Sequence, residues 1–409
     1  MAKKIMNILF LTLVGNSNIK ERGIYNDLMR KLRNEGHQVY IVLPTERREK
    51  ARTRVIKKDG ITLLKVRTLN IQKTSLFEKG LSTITIESLF LRFIKKHFKQ
   101  VKFDLILCST PPITFTKIIK FIKKRDNAQS YLMLKDIFPQ NAVDLKMMKK
   151  GGLIHRYFRR KEKMLYEISD FIGCMSPANV KYLINHNPEI NPRIIEENPN
   201  SIELINTNID KEEKNQIRIN YKIPLDATVF IYGGNLGIPQ GIDFLIEVLN
   251  DQKNKKGIYI IIIGDGTMYK KIKLWFDLND PQNASLLSSM SKTEYDKFIC
   301  CADVGMIFLD KRFTIPNFPS RMLSYIEIKK PVLLATDSNT DIGKIAIKND
   351  FGLWVESGDL KTMTSHINYL GSNSEIREEM GSNGFNYLLN HYTTNHSYSI
   401  IMSHFENVY

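Results

Sequence analysis

Short apolar runs rich in β-branched residues alternate with amphipathic helical stretches through almost the whole chain, and this alternation constrains the fold more than any other feature. A strand covered on both faces reads as a continuous apolar run, and consecutive parallel strands need a crossover helix between them. In the first half the pattern predicts strands at 6–13, 38–43, 61–66, 105–108, 130–134 and 171–174, with helices at 23–35, 81–99, 113–125 and 152–168. In the second half it predicts strands at 228–232, 259–263, 284–287, 304–308, 331–335 and 352–355, with helices at 241–249, 268–277, 292–300, 321–328 and 342–348. Both halves therefore read as doubly wound α/β layers. A chain of 409 residues exceeds what one core usually organises, so two domains are expected. The polar stretch 197–216, which contains Pro199, shows neither period, and the hinge is placed around 200–210. The last residues, from about 386, read as helix with no following strand.

The formal charge of +17 is unevenly spread: residues 1–200 hold 39 Lys and Arg against 18 Asp and Glu, the remainder 21 against 25. The excess suggests that the first half meets an anionic partner: a membrane surface, a nucleic acid or a phosphorylated substrate. No apolar run reaches the ~18–20 residues needed to cross a bilayer. The run 5–14, preceded by Lys3 and Lys4, lacks a small-residue cleavage pattern and is read as a buried strand. Cys108, Cys174, Cys300 and Cys301 have no metal-ligand spacing and are expected to be reduced core thiols of a cytosolic protein.

Ligands of parallel α/β sheets bind at the carboxyl ends of the strands, so the loops there hold the candidates. After the strand at 228–232 comes GGNLGIPQG, with Gly233, Gly234, Asn235, Gly237 and Gln240, and then a helix. Such a loop is either an anion site made of backbone amides and a helix end, or a plain tight turn. Gly264, Asp265 and Gly266 follow the next strand without completing a dinucleotide fingerprint. The first strand ends in a loop running from Gly15 to Gly23. Arg321 follows Pro319 and Ser320 at a predicted helix start, where a cation gains nothing for stability unless an anion shares the site; the other reading points it to solvent. Ser320, Ser324 and Glu327 share one side of that helix, and Glu327 reads either as a ligand of vicinal hydroxyls or as a solvent-facing residue. In LMLKDIFPQNAVDL, Asp136 directly follows a strand. It is placed as a general base or substrate-hydroxyl ligand, against a helix cap or turn. No metal-binding DxD pair follows a strand, and HExxH, phosphate-loop and nucleophile-elbow motifs are missing.

The segments FIYGGNLGIPQGIDFLIEVL, CADVGMIFL and FPSRMLSYIEIKKPVLLAT resemble the glycine loop, the alanine-aspartate-valine strand and the proline-serine-lysine segment of the retaining glycosyltransferases of family 4. ISDFIGCMSPANVKYL and NPNSIE are similar to that family's domain-ending strand–helix and the asparagine before its hinge. The resemblance implies a GT-B fold: two facing Rossmann-like doubly wound parallel-sheet domains with a cleft between them. It implies an acceptor-binding domain at 1–200, a nucleotide-sugar-binding domain at 201–385, and a helix at 386–409 packing back on the first. Asn235 and Gln240 stand where the family places an arginine and a lysine, Arg321 matches the lysine of its proline-serine-lysine segment, and Ser324 stands where its ribose-gripping glutamate belongs. Glu327 is the expected substitute for that glutamate. The family's histidine base has no counterpart here.

LKDIFPQNAVDL resembles a subgroup similar to fucosamine transferases, which extend lipid-linked sugars of capsule or O-antigen. The implied enzyme is a metal-independent transferase that needs no cofactor, since the nucleotide sugar, expected to be UDP-linked, is its substrate. Its catalytic residues would be Asp136, Arg321 and Glu327, its donor site the glycine loops with Asn235, Gln240, Arg321, Ser324 and Glu327, and its acceptor an undecaprenyl-diphosphate-linked saccharide. It would act in the cytoplasm against the anionic inner face of the cell membrane, through 153–168 and 91–100, and would bind no nucleic acid. Two rival readings are a sugar-nucleotide epimerase of the same fold and a basic nucleic-acid-binding protein.

Overall fold

The computed structural model describes residues 4–13, 18–71, 76–205 and 209–406. The chain forms two compact units, Met1–Ile202 with Thr394–Tyr409, and Glu203–Thr393.

In the first unit the strands are β1 (Asn7–Leu11), β2 (Gln38–Glu46), β3 (Arg54–Lys58), β4 (Ile61–Thr68), β5 (Leu105–Ser109), β6 (Gln129–Leu134), β7 (Phe171–Cys174) and β8 (Ile195–Glu197). Among the described residues they form one sheet in the order β3-β4-β2-β1-β5-β6-β7-β8, parallel throughout except for the antiparallel β3–β4 pair. β1 and β5 run side by side in register from Ile8 with Leu105 to Leu11 with Cys108, buried on both faces, which accounts for their unbroken apolar sequence. β3 and β8 are the two edges and fall outside the sequence expectation. The helix Thr394–Glu406 buries Tyr398, Ile401 and Met402 among Leu28, Met29 and Leu32 of the helix Ile24–Asn34. His37 fixes the contact, its Nδ1 accepting from the Met6 amide (3.2 Å) and its Nε2 lying 3.1 Å from the Tyr398 hydroxyl. Residues 386–391 differ from the expected single terminal helix. They finish the helix Ser374–His391, and the chain rejoins the first unit only from Thr394.

In the second unit the strands are β9 (Thr228–Asn235), β10 (Ile258–Asp265), β11 (Ala284–Leu287), β12 (Val304–Phe308), β13 (Val332–Thr336) and β14 (Gly352–Glu356). Among the described residues they form a parallel sheet in the order β11-β10-β9-β12-β13-β14. Read from β9 this is the doubly wound order 3-2-1-4-5-6, whose direction of winding reverses between β9 and β12. One face packs Phe230, Tyr232, Ile260, Ile262, Met306 and Phe308 against the helices Ile242–Gln252 and Leu360–Ser372. All four cysteines are free and buried, and burial pushes the Cys108 and Cys174 thiols up to about 12. Among the described residues no helix is long and apolar enough to cross a membrane.

Candidate functional site

Where the winding of a parallel sheet reverses, the loops leaving the two central strands diverge and open a crevice at their carboxyl ends. In the second unit those loops follow β9 and β12, and Arg321 joins them. It opens the helix Arg321–Glu327, yet its guanidinium lies over the ring of Tyr232 in β9, Cζ to centroid 4.5 Å. Its Nη2 donates to Gln240 Oε1 at 2.6 Å. Its Nη1 is buried and has no hydrogen-bond partner. A guanidinium does not give up its proton in a protein, so this is a buried cation held by an aromatic face and one neutral amide. Such a charge is costly without an anion beside it.

The helix itself contributes less than its sequence position suggests. It is seven residues long, Ser320 makes no side-chain cap, and the Met322 and Leu323 amides already donate to the carbonyls of Pro319 and Ser320. The expectation of a helix end offering amides to an anion is therefore corrected: Arg321 is placed by Tyr232 and Gln240. Glu327 is also drawn inward. It is buried, and its Oε1 accepts from the Ile205 amide at 3.1 Å, while Ser324 is half-buried one turn nearer the loop. The stripe of Ser320, Ser324 and Glu327 thus divides, because the apolar contacts of Met322, Leu323, Tyr325 and Ile326 bury most of so short a helix.

The glycine loop is held largely by its own chain. The Gly233 amide donates to the Tyr325 hydroxyl (3.0 Å), the Leu236 amide to the Asp265 carbonyl (2.9 Å) and the Gln240 amide to the Gly237 carbonyl (3.0 Å). At Gly266 a Cβ would lie 2.4 Å from the Leu236 backbone, so that glycine serves loop packing rather than a ligand. Gly266→Ala is expected to lower stability by about 2–3 kcal/mol, whereas Gly237→Ala, which would meet only the flexible Asn235 side chain, should cost far less. Denaturant titration of the two variants measures the contrast. Gly234 is different: it is exposed, at φ +131°, and a Cβ there would sit 3.4 Å from the Arg321 Cζ. Its bare backbone leaves the guanidinium uncovered on that side. Asn235 is exposed and its carbonyl accepts from the Tyr232 hydroxyl at 2.9 Å. Tyr232 and Tyr325 were not legible as site residues, although Tyr325 stands four positions after Arg321, one helical turn.

In the first unit the winding reverses between β1 and β5. Gly15 lies outside the described residues. The Gly23 amide, expected to face a ligand, donates instead to Asp27 Oδ1 at 2.9 Å, and Asp27 is paired with Arg30 at 2.7 Å; this carboxylate folds back from the first turn of the helix and closes its start. Beyond β5 and β6 a second cluster forms. The Thr110 hydroxyl accepts from the amides of Lys135 and Asp136 (both 3.0 Å) and donates to the Asp136 carbonyl (2.9 Å), fixing the backbone of Asp136 past the end of β6. Asn141 Nδ2 donates to Asp136 Oδ1 at 2.7 Å, and Asn141 Oδ1 is buried without a partner. Burial raises the Asp136 carboxyl from 3.8 to about 6, against the opposing effect of the Asn141 bond. Tyr25, bonded to the Ser109 side chain and near the Asp136 charge, is pushed by burial up to about 12. Thr110, Asn141 and Tyr25 were missed by sequence reasoning; Asn141 alone lies within the segment that singled out Asp136. Thr110→Val strands two buried amides and is expected to cost about 2–3 kcal/mol, read by denaturant titration.

The glycosyl transferases group 1 model matches residues 213–387. WbjE of Pseudomonas aeruginosa, a probable glycosyltransferase, is 23% identical over 289 residues, 68% of this chain and 68% of that protein. HepE of Anabaena, solved in complex with UDP-glucose, superposes with a TM-score of 0.70 at 13% identity, covering 98% of this chain and 100% of that one. WaaG, a glycosyltransferase involved in lipopolysaccharide biosynthesis, superposes with a TM-score of 0.66 at 11% identity, covering 98% and 100%. Residues 213–387 match the glycosyl transferases group 1 model, and the chain as a whole shares the GT-B fold of these solved glycosyltransferases.

Proposed function

We propose that this chain transfers a sugar from a UDP-linked donor to a lipid-linked saccharide in the synthesis of a surface polysaccharide such as capsule or O-antigen. The reading rests on one observation above all, the buried guanidinium of Arg321 with an unpartnered Nη1 at the switch point of a group 1 domain. A diphosphate is an anion suited to that group, and charge that grows on it as the glycosidic bond breaks is met by a donor already in position. HepE, of the same fold, is solved with UDP-glucose, and WaaG works in lipopolysaccharide biosynthesis; both support the reading.

The donor is assigned to the second unit, with Gly234, Asn235, Gln240, Arg321 and Ser324 nearest to it, and Glu327 behind them. The acceptor is assigned to the first unit, where Asp136 and the free Asn141 Oδ1 would receive the attacking hydroxyl. Transfer is assigned as retaining and metal-independent, carried out by a peripheral protein at the cytoplasmic face of the membrane. The test is a thermal-shift screen of UDP and nucleotide sugars, followed by incubation of the best donor with a lipid-linked saccharide. A ligand at a hundred times its Kd stabilises by ~2.7 kcal/mol, an easily read rise in Tm. No rise with any uridine nucleotide overturns the donor assignment. Epimerised donor without transfer product would replace the reaction.

A further inference from the structure

The apolar side of the helix Leu153–Ile168 does not behave as one stripe. Its later part is consumed by its own unit: Glu162, Leu165 and Tyr166 are buried, and Phe158 packs edge-on against Phe138 with centroids 5.0 Å apart. Its first turns are not covered: Leu153 is 84% exposed, Ile154 65% and Tyr157 41%, while Met147, in the turn just before, is 61% exposed. Leu153 and Ile154 stand four and three residues before Tyr157 and so share its face of the helix. Residues 146–161 hold seven Lys and Arg and no Asp or Glu. Of these, Arg159 is bound to Glu162 and Asn187, and Lys161 lies 5.8 Å from the Tyr157 ring. At the end of the helix Leu76–His97, where 91–100 is expected to give a second membrane contact, Ile94 and the following Phe98 are buried, Leu91 and Phe93 are half-buried, and Lys95, Lys96 and Lys99 are exposed.

We propose that the turn 146–152 and the first turns of the helix Leu153–Ile168 form a docking surface for an anionic lipid bilayer, with Leu153, Ile154 and Tyr157 entering the headgroup boundary and Lys149, Lys150, Arg156 and Arg160 meeting the lipid phosphates. A few exposed apolar side chains ringed by cations and free of acids match that boundary in both polarity and sign. The surface bears on the proposed reaction, and to that extent rests on it. Phe158, next to Tyr157, packs on Phe138, two residues after Asp136, so the wedge and the proposed acceptor site share one piece of structure.

The test is co-sedimentation of the full chain with vesicles of phosphatidylcholine alone and of equal parts phosphatidylcholine and phosphatidylglycerol, with duplex DNA as a competing polyanion. Binding is expected only with the anionic vesicles, to weaken with salt, and to fall by about tenfold or more in Leu153→Glu/Ile154→Glu. Both variant positions are exposed, so Tm and its rise with UDP should be unchanged in that variant. Lys149→Glu/Lys150→Glu should lose the salt-sensitive part. Wild-type protein that ignores anionic vesicles, prefers DNA, or binds vesicles as well after Leu153→Glu/Ile154→Glu overturns the docking surface. A UDP-induced rise in Tm that persists in those cases leaves the donor assignment standing, and its loss in wild-type protein overturns that assignment alone.

Discussion

Arg321→Ala is expected to reduce sugar transfer by about 10³-fold or more while leaving Tm within a few degrees of the parent. The two halves of that expectation come from the same geometry. In the resting protein the guanidinium has one aromatic face, one amide oxygen at 2.6 Å and an Nη1 with no partner. Removing it takes away a desolvated charge as well as a contact, and the losses and gains in stability largely offset one another. With a diphosphate in place the balance changes, because an unpaired N–H and a positive charge then gain a ligand in a site where water is scarce. Arg321→Lys separates charge from shape. It keeps the charge but loses the planar fork that reaches Gln240 and stacks on Tyr232, and it should retain an intermediate activity with a raised KM. Gln240→Ala should act in the same direction but more weakly, since it frees the guanidinium to rotate without removing it. Normal turnover by Arg321→Ala would place the donor diphosphate elsewhere.

Much of the fold was legible because parallel strands buried on both faces write themselves as apolar runs. β7, β11 and β12 coincide with their expected ranges, and β10 extends beyond its own at both ends, from Ile258 to Asp265. The strands that escaped, β3 and β8, are the two sheet edges. RVIKK in β3 is exposed at four of its five positions, so its sequence records solvent and charge, the usual protection of an edge, rather than burial. The helix Leu360–Ser372 and all but the last turns of Ser374–His391 were also unassigned; the second leaves much of its surface in solvent and shows little one-sided patterning.

The site was legible in its residue types and not in their partners. Sequence marked Arg321, Gln240 and the glycine loop as belonging together, but gave no means of knowing that Tyr232 would carry the guanidinium, or that Tyr325 would occupy the Gly233 amide. Those contacts cross between β9 and the helix Arg321–Glu327, 89 and 92 residues apart in the chain, and only the folded sheet order brings them together. Glu327 shows the opposite failure. A helical wheel put it on the side of Ser320 and Ser324, whereas its carboxylate is tied to the amide of Ile205, a segment whose path no periodicity reveals.

Asp136→Asn is expected to lower transfer by roughly 10²–10⁴-fold and, above pH 6, to make the protein more stable. The carboxyl ionises at about 6 in the folded chain against an ordinary 3.8, with burial as the main cause. The unfolded chain therefore releases this proton near pH 4 and the folded one only near pH 6. Between those values the folded state binds more protons, so stability falls as pH rises through that window, and the full penalty is present above about pH 6. A shift of that size corresponds to roughly 3 kcal/mol, and the remaining exposure of the residue reduces it to about 1–2 kcal/mol. Asparagine keeps an oxygen for the Asn141 amide without the charge, so Tm should rise by a few degrees at pH 7.5 and stay unchanged at pH 4. The same protonation should appear in activity as a limb falling below about pH 6 in the wild type and missing from whatever activity Asp136→Asn retains. A carboxylate kept only to cap a turn predicts something else: asparagine would serve equally well, the variant would gain no Tm over the wild type at pH 7.5, and transfer would survive. Destabilisation retained at a buried position and removable by one isosteric change is what a functional charge leaves behind, and the pair of pH profiles distinguishes it from a turn.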